Sequence, residues 1–175
     1  MTELDEVKGW HFFATEGQDR TGAPIVVGET QFVAGKIECC ESGLHACESL
    51  LDALRYAPGT WLQRVTLSGV IDRDRDKLAA SHRNTLAVAD ARQILVTFAR
   101  DCANRARDCA VYYAANRAAA LAANAANAAY YAYYAAGYAA NAAGAVGAYA
   151  DLERERQDET LTRMARELLG ISDDQ

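Results

Sequence analysis

His11, Cys39, Cys40, His45 and Cys47 supply every imidazole and thiol in the first fifty of 175 residues. Cys40-x4-His45-x-Cys47 resembles half of a zinc set, but no second Cys-x2-Cys or His pair is present to close it, so no metal is expected. The same histidines could activate a neighbouring thiol as a nucleophile. No third, orienting group accompanies them, and no catalytic residue is assigned. Asp72-x-Asp74-x-Asp76 opens like a calcium loop, yet Lys77 stands where the sharp turn needs Gly and Arg83 where a bidentate Glu belongs. That run reads as an exposed turn.

Arginine offers different chemistry, since a guanidinium grips a phosphate or carboxylate with two parallel bonds. The protein carries a net charge of -6, but residues 51–117 hold 11 bases against 7 acids, between acidic flanks with 9 acids to 3 bases and 8 to 4. A basic middle in an acidic chain suits a small anionic ligand of nucleotide type and weighs against a nucleic-acid duplex. His11, His45, Arg55, Tyr56 and Arg83 are the candidate ligand-binding residues. Gly28, Gly35 and Gly43 have the wrong spacing for either common phosphate loop, and no cofactor is expected. Tyr130, Tyr131, Tyr133 and Tyr134 form a cluster suited to an interface or to stacking on a base.

The elements that must position these residues differ between the two halves. Lys8–Ala14 alternates as a strand, Pro24–Val27 with Thr30–Val33 forms a second strand region, and Lys36–Cys40 a third. Cys47–Ala57 places Leu50, Leu51 and Leu54 on one helical stripe that Pro58-Gly59 ends. Trp61–Ile71 is the clearest strand, with Trp61, Val65, Leu67 and Ile71 on one face. After the turn Asp72–Lys77 the pattern reads as helix to the end. Asp90-Ala91-Arg92-Gln93 serves as a capping box before the stripe Ala91, Leu95, Phe98, Cys102, Cys109 and Tyr113.

From Ala118 to Ala150 there are 33 residues without a charge, 19 of them Ala. Ala118, Ala122, Ala125, Ala129, Ala132, Ala136, Ala139, Ala143 and Val146 fall on the two seam positions of a heptad, which predicts close helix packing and a homo-oligomer. Asn and Gly dilute this block too far for a membrane span. Asp151–Leu169 is a charged amphipathic helix with the stripe Leu161, Met164, Ala165 and Leu168. The expected fold class is α+β: a mixed α/β domain over residues 1–89, then an Ala-rich helical assembly region over 90–175 ending in the amphipathic helix. Five cysteines, two of them adjacent, and no secretory-type leader suggest a reducing cytoplasm.

Cys40-Glu41-Ser42-Gly43-Leu44-His45-Ala46, Asp52-Ala53-Leu54-Arg55-Tyr56-Ala57-Pro58-Gly59 and the strand Trp10-His11-Phe12 resemble an uncharacterised bacteriophage and prophage family with an Ala-rich C-terminal repeat. The resemblance implies a phage setting and no agreed activity. A fainter similarity is to ADP-ribosyltransferase-like folds, on the order His11, Gly43–Ala46, Tyr56-Ala57 and Arg64–Gly69. In those folds the corresponding strands surround nicotinamide, with a Tyr at the position of His45. The leading expectation is a non-enzymatic phage-type protein that counters host machinery, an anti-defence role, by sequestering a nucleotide-like ligand or blocking a host protein. An NAD-using transferase and a purely structural self-assembling protein are the alternatives.

Overall fold

The computed structural model describes residues 6–109 and 149–172. Its contacts divide the chain into one compact unit of residues 1–90 with 169–175 and another of residues 91–168. The expected seam, Ala118 through Val146, and the Tyr130–Tyr134 cluster lie outside the described residues.

The first unit is built on a long hairpin. β4 (Trp61–Arg73) and β5 (Leu78–Asp90) run antiparallel for thirteen residues each. Asp74 N donates to Lys77 O (3.0 Å) and Arg75 N to Asp74 Oδ1 (2.8 Å), which fixes the turn between them. The charged run Asp72–Lys77 is therefore a hairpin end, in keeping with its sequence, but residues 78–90 beyond it are strand and not helix. Leu78-Ala79-Ala80 and Ala87 favour helix as isolated residues. They become strand because both edges of β5 find partners, and ladder hydrogen bonds with burial outweigh local propensity.

β4 takes one edge of β5. The other edge is shared by two short strands laid end to end, β3 (Leu44–Ala46) on Leu78–Ala80 and β2 (Thr30–Phe32) on His82–Asn84. β1 (Val7–Phe13) pairs with the far edge of β4, giving a five-stranded antiparallel sheet. Cys47, one residue beyond β3, then pairs with β1: Trp10 N donates to Cys47 O (2.7 Å) and Cys47 N to Trp10 O (2.9 Å). The strands thus close into a ring, β1, β4, β5 and the β3 segment. Register shifts at Arg64/Val65 and Ser68/Ile71 sharpen the bend that closure requires. Where β1 meets the β3 segment only Gly9 fits, because a Cβ there would lie 2.9 Å from the Ala46 Cβ.

The two other expected strand regions contract for local reasons. Glu38 N donates to Ser42 O (3.0 Å), so residues 38–42 form a tight turn and the strand begins only at Leu44. Val26 and Val27 are exposed and unpaired as strand, while Pro24 only bridges Gln18. α1 covers Leu50–Arg55 and not the whole of Cys47–Ala57, because Cys47 stays extended to pair with Trp10 and Ser49 caps the helix by accepting from Asp52 N (3.2 Å). Leu50, Leu51, Ala53 and Leu54 are buried, and α1 packs against β1. A second cluster of Ala46, Val65, Leu67, Leu78 and Ala80 fills the inside of the bend.

In the other unit, α2 spans Arg92–Cys109 and α3 spans Tyr149–Leu169. Ala91, Leu95, Phe98 and Cys102 are buried at helical spacing, as the sequence pattern requires. On α3 the buried line is Gln157, Leu161 and Ala165, whereas Leu168 is exposed. The mixed architecture of antiparallel sheet and helices is α+β.

The bulge at Ser68/Ile71 depends on Gly69, whose φ is +80. A Cβ there would overlap the Ser81 Oγ and His82 Nδ1 that line the bulge, and Ser81 Oγ already accepts from Val70 N (2.9 Å). Gly69→Ala is expected to lower the unfolding free energy by about 1 to 3 kcal/mol through backbone strain alone. Urea denaturation measures it, and an unchanged midpoint would mean that the bulge yields without cost.

Candidate functional site: a buried guanidinium beside a neutral imidazole

Pairing across the sheet brings polar side chains onto a face that is otherwise apolar. His11 lies opposite Gln63 and Gln31 opposite Arg83, while Thr85 is two residues further along β5. Gln63 Nε2 donates to His11 Nδ1 (2.8 Å), and Thr85 Oγ1 donates to Gln63 Oε1 (3.1 Å). With the Gln63 amide in that orientation, Nδ1 is the acceptor and the neutral His11 ring carries its proton on Nε2. Burial holds the His11 pKa well below 6.5, and the positive charge of Arg83 adds to that effect, with a smaller contribution from His45. Asp19 opposes them weakly.

Arg83 is 4% exposed. Its Nε and Nη2 both donate to Gln31 Oε1 (3.2 and 2.8 Å), and Nη1 donates to the His45 carbonyl (3.0 Å). None of these acceptors is charged. Gln31 Nε2 in turn donates to Asp19 Oδ2 (3.1 Å), so the nearest compensating carboxylate acts through an amide. Burial lowers the Arg83 pKa to about 10, which leaves the group cationic at neutral pH. Three of its five N–H groups are engaged, and one remains on each terminal nitrogen.

Asp19 is held in its own turn. Its Oδ1 accepts from Thr21 N (2.8 Å), Thr21 Oγ1 (2.7 Å) and Ala23 N (3.0 Å), an arrangement typical of Asp in a tight turn. Those bonds lower its pKa, outweighing the desolvation that would raise it, and the carboxylate stays ionised.

Of the five residues that the sequence singles out, His11 and Arg83 come together and the other three are committed elsewhere. His45 Nε2 accepts from Cys40 N (3.2 Å), and its ring also hydrogen-bonds the Gly43 backbone, so the imidazole clips the residue 40–45 turn. Burial lowers the His45 pKa, and Lys77, Arg83 and Arg20 lower it further. Arg55 Nη1 bonds Asp76 Oδ2 (2.7 Å), and the Tyr56 hydroxyl donates to the same carboxylate (2.9 Å). Lys77 Nζ sits 4.6 Å from the centroid of the Tyr56 ring. This second group ties the end of α1 to the hairpin turn.

Among the described residues the thiols form no common cluster. Cys40 is exposed, and Cys39 donates to the backbone oxygens of Asp72 and Lys77. Burial drives the Cys47 pKa up to about 12, with help from Asp52 and Asp76. Among the described residues no three His, Cys, Asp or Glu side chains come close enough to hold a metal ion.

Gln31, Gln63, Thr85 and Asp19 do not stand out in the sequence. Gln63 carries a usable signal, since it interrupts the stripe Trp61, Val65, Leu67 on the buried face of the best strand, where a polar side chain must find partners. Gln31 and Thr85 give none without the pairing of β2 and β5.

A family model described as a domain of unknown function, DUF7666, matches residues 7–97. The chain belongs to the DUF7666 family. The match contains the whole sheet, α1 and every residue of the polar cluster, and it ends within α2, before the Ala-rich block. No curated protein and no solved structure matches the chain.

The depressed histidine pKa values set a pH dependence for the DUF7666 domain. Below 6.5 the unfolded chain takes up protons that the folded His11 and His45 refuse, so stability is lost as pH falls from that value toward the folded pKa values. Asp19 acts lower, its contribution disappearing only as pH falls below the ordinary 3.8. Urea titrations at about pH 7, 6 and 5 should show falling stability, and His11→Gln should flatten the slope. An equal slope in the variant would show that His11 titrates in the fold as it does in the unfolded chain.

Proposed function

We propose that this protein is a non-enzymatic binding protein whose ligand presents a two-oxygen anionic group to Arg83 and His11. The observation that carries the reading is the guanidinium of Arg83, a buried cation with neutral acceptors and one N–H left on each terminal nitrogen. With the His45 carbonyl on the outer Nη1 hydrogen, the two spare N–H groups share one edge of the guanidinium and match the two oxygens of a carboxylate or phosphate. A buried charge without a direct counter-ion is costly, and a ligand oxyanion would offset that cost. His11 adds a third donor through Nε2, and as a neutral ring it can donate there without bringing a second positive charge.

This reading keeps the small anion expected from the basic middle of the chain and reduces it to the group that the site can grip. In the phage setting that the sequence resemblance implies, binding of this kind would act by withholding the ligand from host machinery. Within the polar cluster the Thr85 hydroxyl and the Asp19 carboxylate are spent on hydrogen bonds, which favours binding over turnover.

Acetate, inorganic phosphate and ADP should each be titrated against the protein while backbone and arginine side-chain NMR shifts are followed. Arg83→Gln should weaken whichever anion binds by about tenfold or more, the loss of one charge-assisted pair. Arg83→Lys should restore only part of it, because an ammonium lacks the fork. Arg55→Gln should bind as the parent does, since Arg55 is spent on Asp76. Equal loss in the Arg55 and Arg83 variants, with both folded, would move the site to the end of α1. Release of nicotinamide from NAD by the purified protein would instead favour the transferase-like alternative.

A further inference from the structure

The Arg83 cluster also carries information about which oxyanion it accepts, and this inference rests on the oxyanion reading above. We infer that the ligand group is the singly charged, planar carboxylate of an organic acid, and that Asp19 is the residue that selects it against a phosphate dianion.

Charges and donors at the site both lead there. Arg83 contributes one positive charge, and Asp19 contributes one negative charge through the shared Gln31 amide. The charged groups that act on His11 are these two, with His45 held neutral by its own surroundings. Lys77 and Arg20 act on His45 and do not figure among the groups that shift His11. Within this hydrogen-bonded cluster Arg83 and Asp19 therefore nearly balance before a ligand arrives, the carboxylate lying closer to solvent than the buried guanidinium. A monoanion leaves the cluster with a single negative charge beside a guanidinium, whereas a dianion adds a second within the field of a fixed carboxylate.

Asp19 cannot relieve that repulsion by turning away. Four donors hold it, Thr21 N, Thr21 Oγ1, Ala23 N and Gln31 Nε2. Nor can it relieve the repulsion by taking up a proton near neutral pH, because those bonds favour its ionised form. The donors point the same way. Two coplanar guanidinium N–H groups and one imidazole N–H nearly saturate the in-plane lone pairs of a carboxylate, whereas a phosphate dianion spreads its charge over three oxygens out of one plane. Phosphate-binding sites usually add backbone N–H groups from a helix N-terminus or a glycine-rich loop. No such group appears in the described contacts of Arg83 or His11.

Asp19 thus works by exclusion. Specificity of this kind depends as much on a repulsive element against the wrong ligand as on attraction to the right one.

The test compares acetate with inorganic phosphate at about pH 8, where phosphate is doubly charged, in the parent protein, Asp19→Asn and Asp19→Ser. Serine keeps a side-chain acceptor for the turn while removing the charge, so one variant remains informative should the other misfold. Chloride at equal ionic strength serves as the control. Acetate should bind the parent more tightly than phosphate, and loss of the Asp19 charge should raise phosphate affinity relative to acetate by about threefold, the scale of one unit charge close to solvent. Phosphate binding the parent as well as acetate, or an unchanged ratio in both Asp19 variants, overturns the selectivity. In that case Arg83→Gln would still weaken binding of both anions, and the oxyanion site would stand. Failure of both anions to bind the parent above the chloride control would remove the site itself.

Discussion

A guanidinium inside a β-sheet has to be accommodated by everything around it. Arg83 sits on the central strand of the sheet, and its fixed hydrogen-bond geometry places demands on two neighbouring strands: an amide from β2 and a main-chain oxygen from β3. Those demands are met because β2 and β3 share one edge of β5, β2 directly opposite Arg83 and β3 beside it on Leu78–Ala80. They also explain why a glutamine, Gln31, occupies the strand position directly across from Arg83. An amide can accept from the cation with its oxygen while its nitrogen passes the charge on to a carboxylate. An aliphatic side chain in the place of Gln31 would leave Arg83 with only one acceptor.

The electrostatics of the sheet then separate into two districts. Around Arg83 the charge is buried, sparsely compensated and coupled to neutral groups. Around Asp76 it is closer to solvent and fully paired, with Arg55, Tyr56 and Lys77 gathered on one carboxylate and its surroundings. Surface pairs of the second kind contribute little to stability and much to local geometry. His45 stands between the districts, with its main-chain oxygen serving the first and its ring anchoring the turn beside the second.

Much of this is legible in the sequence, and the exceptions have physical causes. β1, β4 and α1 are readable because Trp10, Phe12, Leu50, Leu54, Val65 and Leu67 alternate or recur at the proper period and are buried. β5 escapes a sequence reading because Ala79, Ala80 and Ala87 carry no signal of strand on their own. Its identity is a property of its neighbours. His11 and Arg83 are recognisable by type, whereas the amides and the hydroxyl that define their protonation and orientation depend on cross-strand register. Arg55, Tyr56 and His45 are attractive for their chemistry, and only three-dimensional pairing reveals that their polar atoms are already occupied.

The ring closure between Trp10 and Cys47 has a kinetic meaning. β4 and β5 adjoin in sequence, so their ladder can zip from the Asp74–Lys77 turn with small loops to close. The Trp10–Cys47 bridge joins segments separated by more than thirty residues and is held by two main-chain hydrogen bonds. The hairpin is thus the natural early structure and this bridge a late one. Residues 14–43, which lie between the two bridged segments, carry Asp19 and Gln31. Opening at Trp10–Cys47 would free the ends of this segment, while its middle, Gly28–Val33, stays tied to β5 by main-chain hydrogen bonds of its own and keeps Gln31 on Arg83.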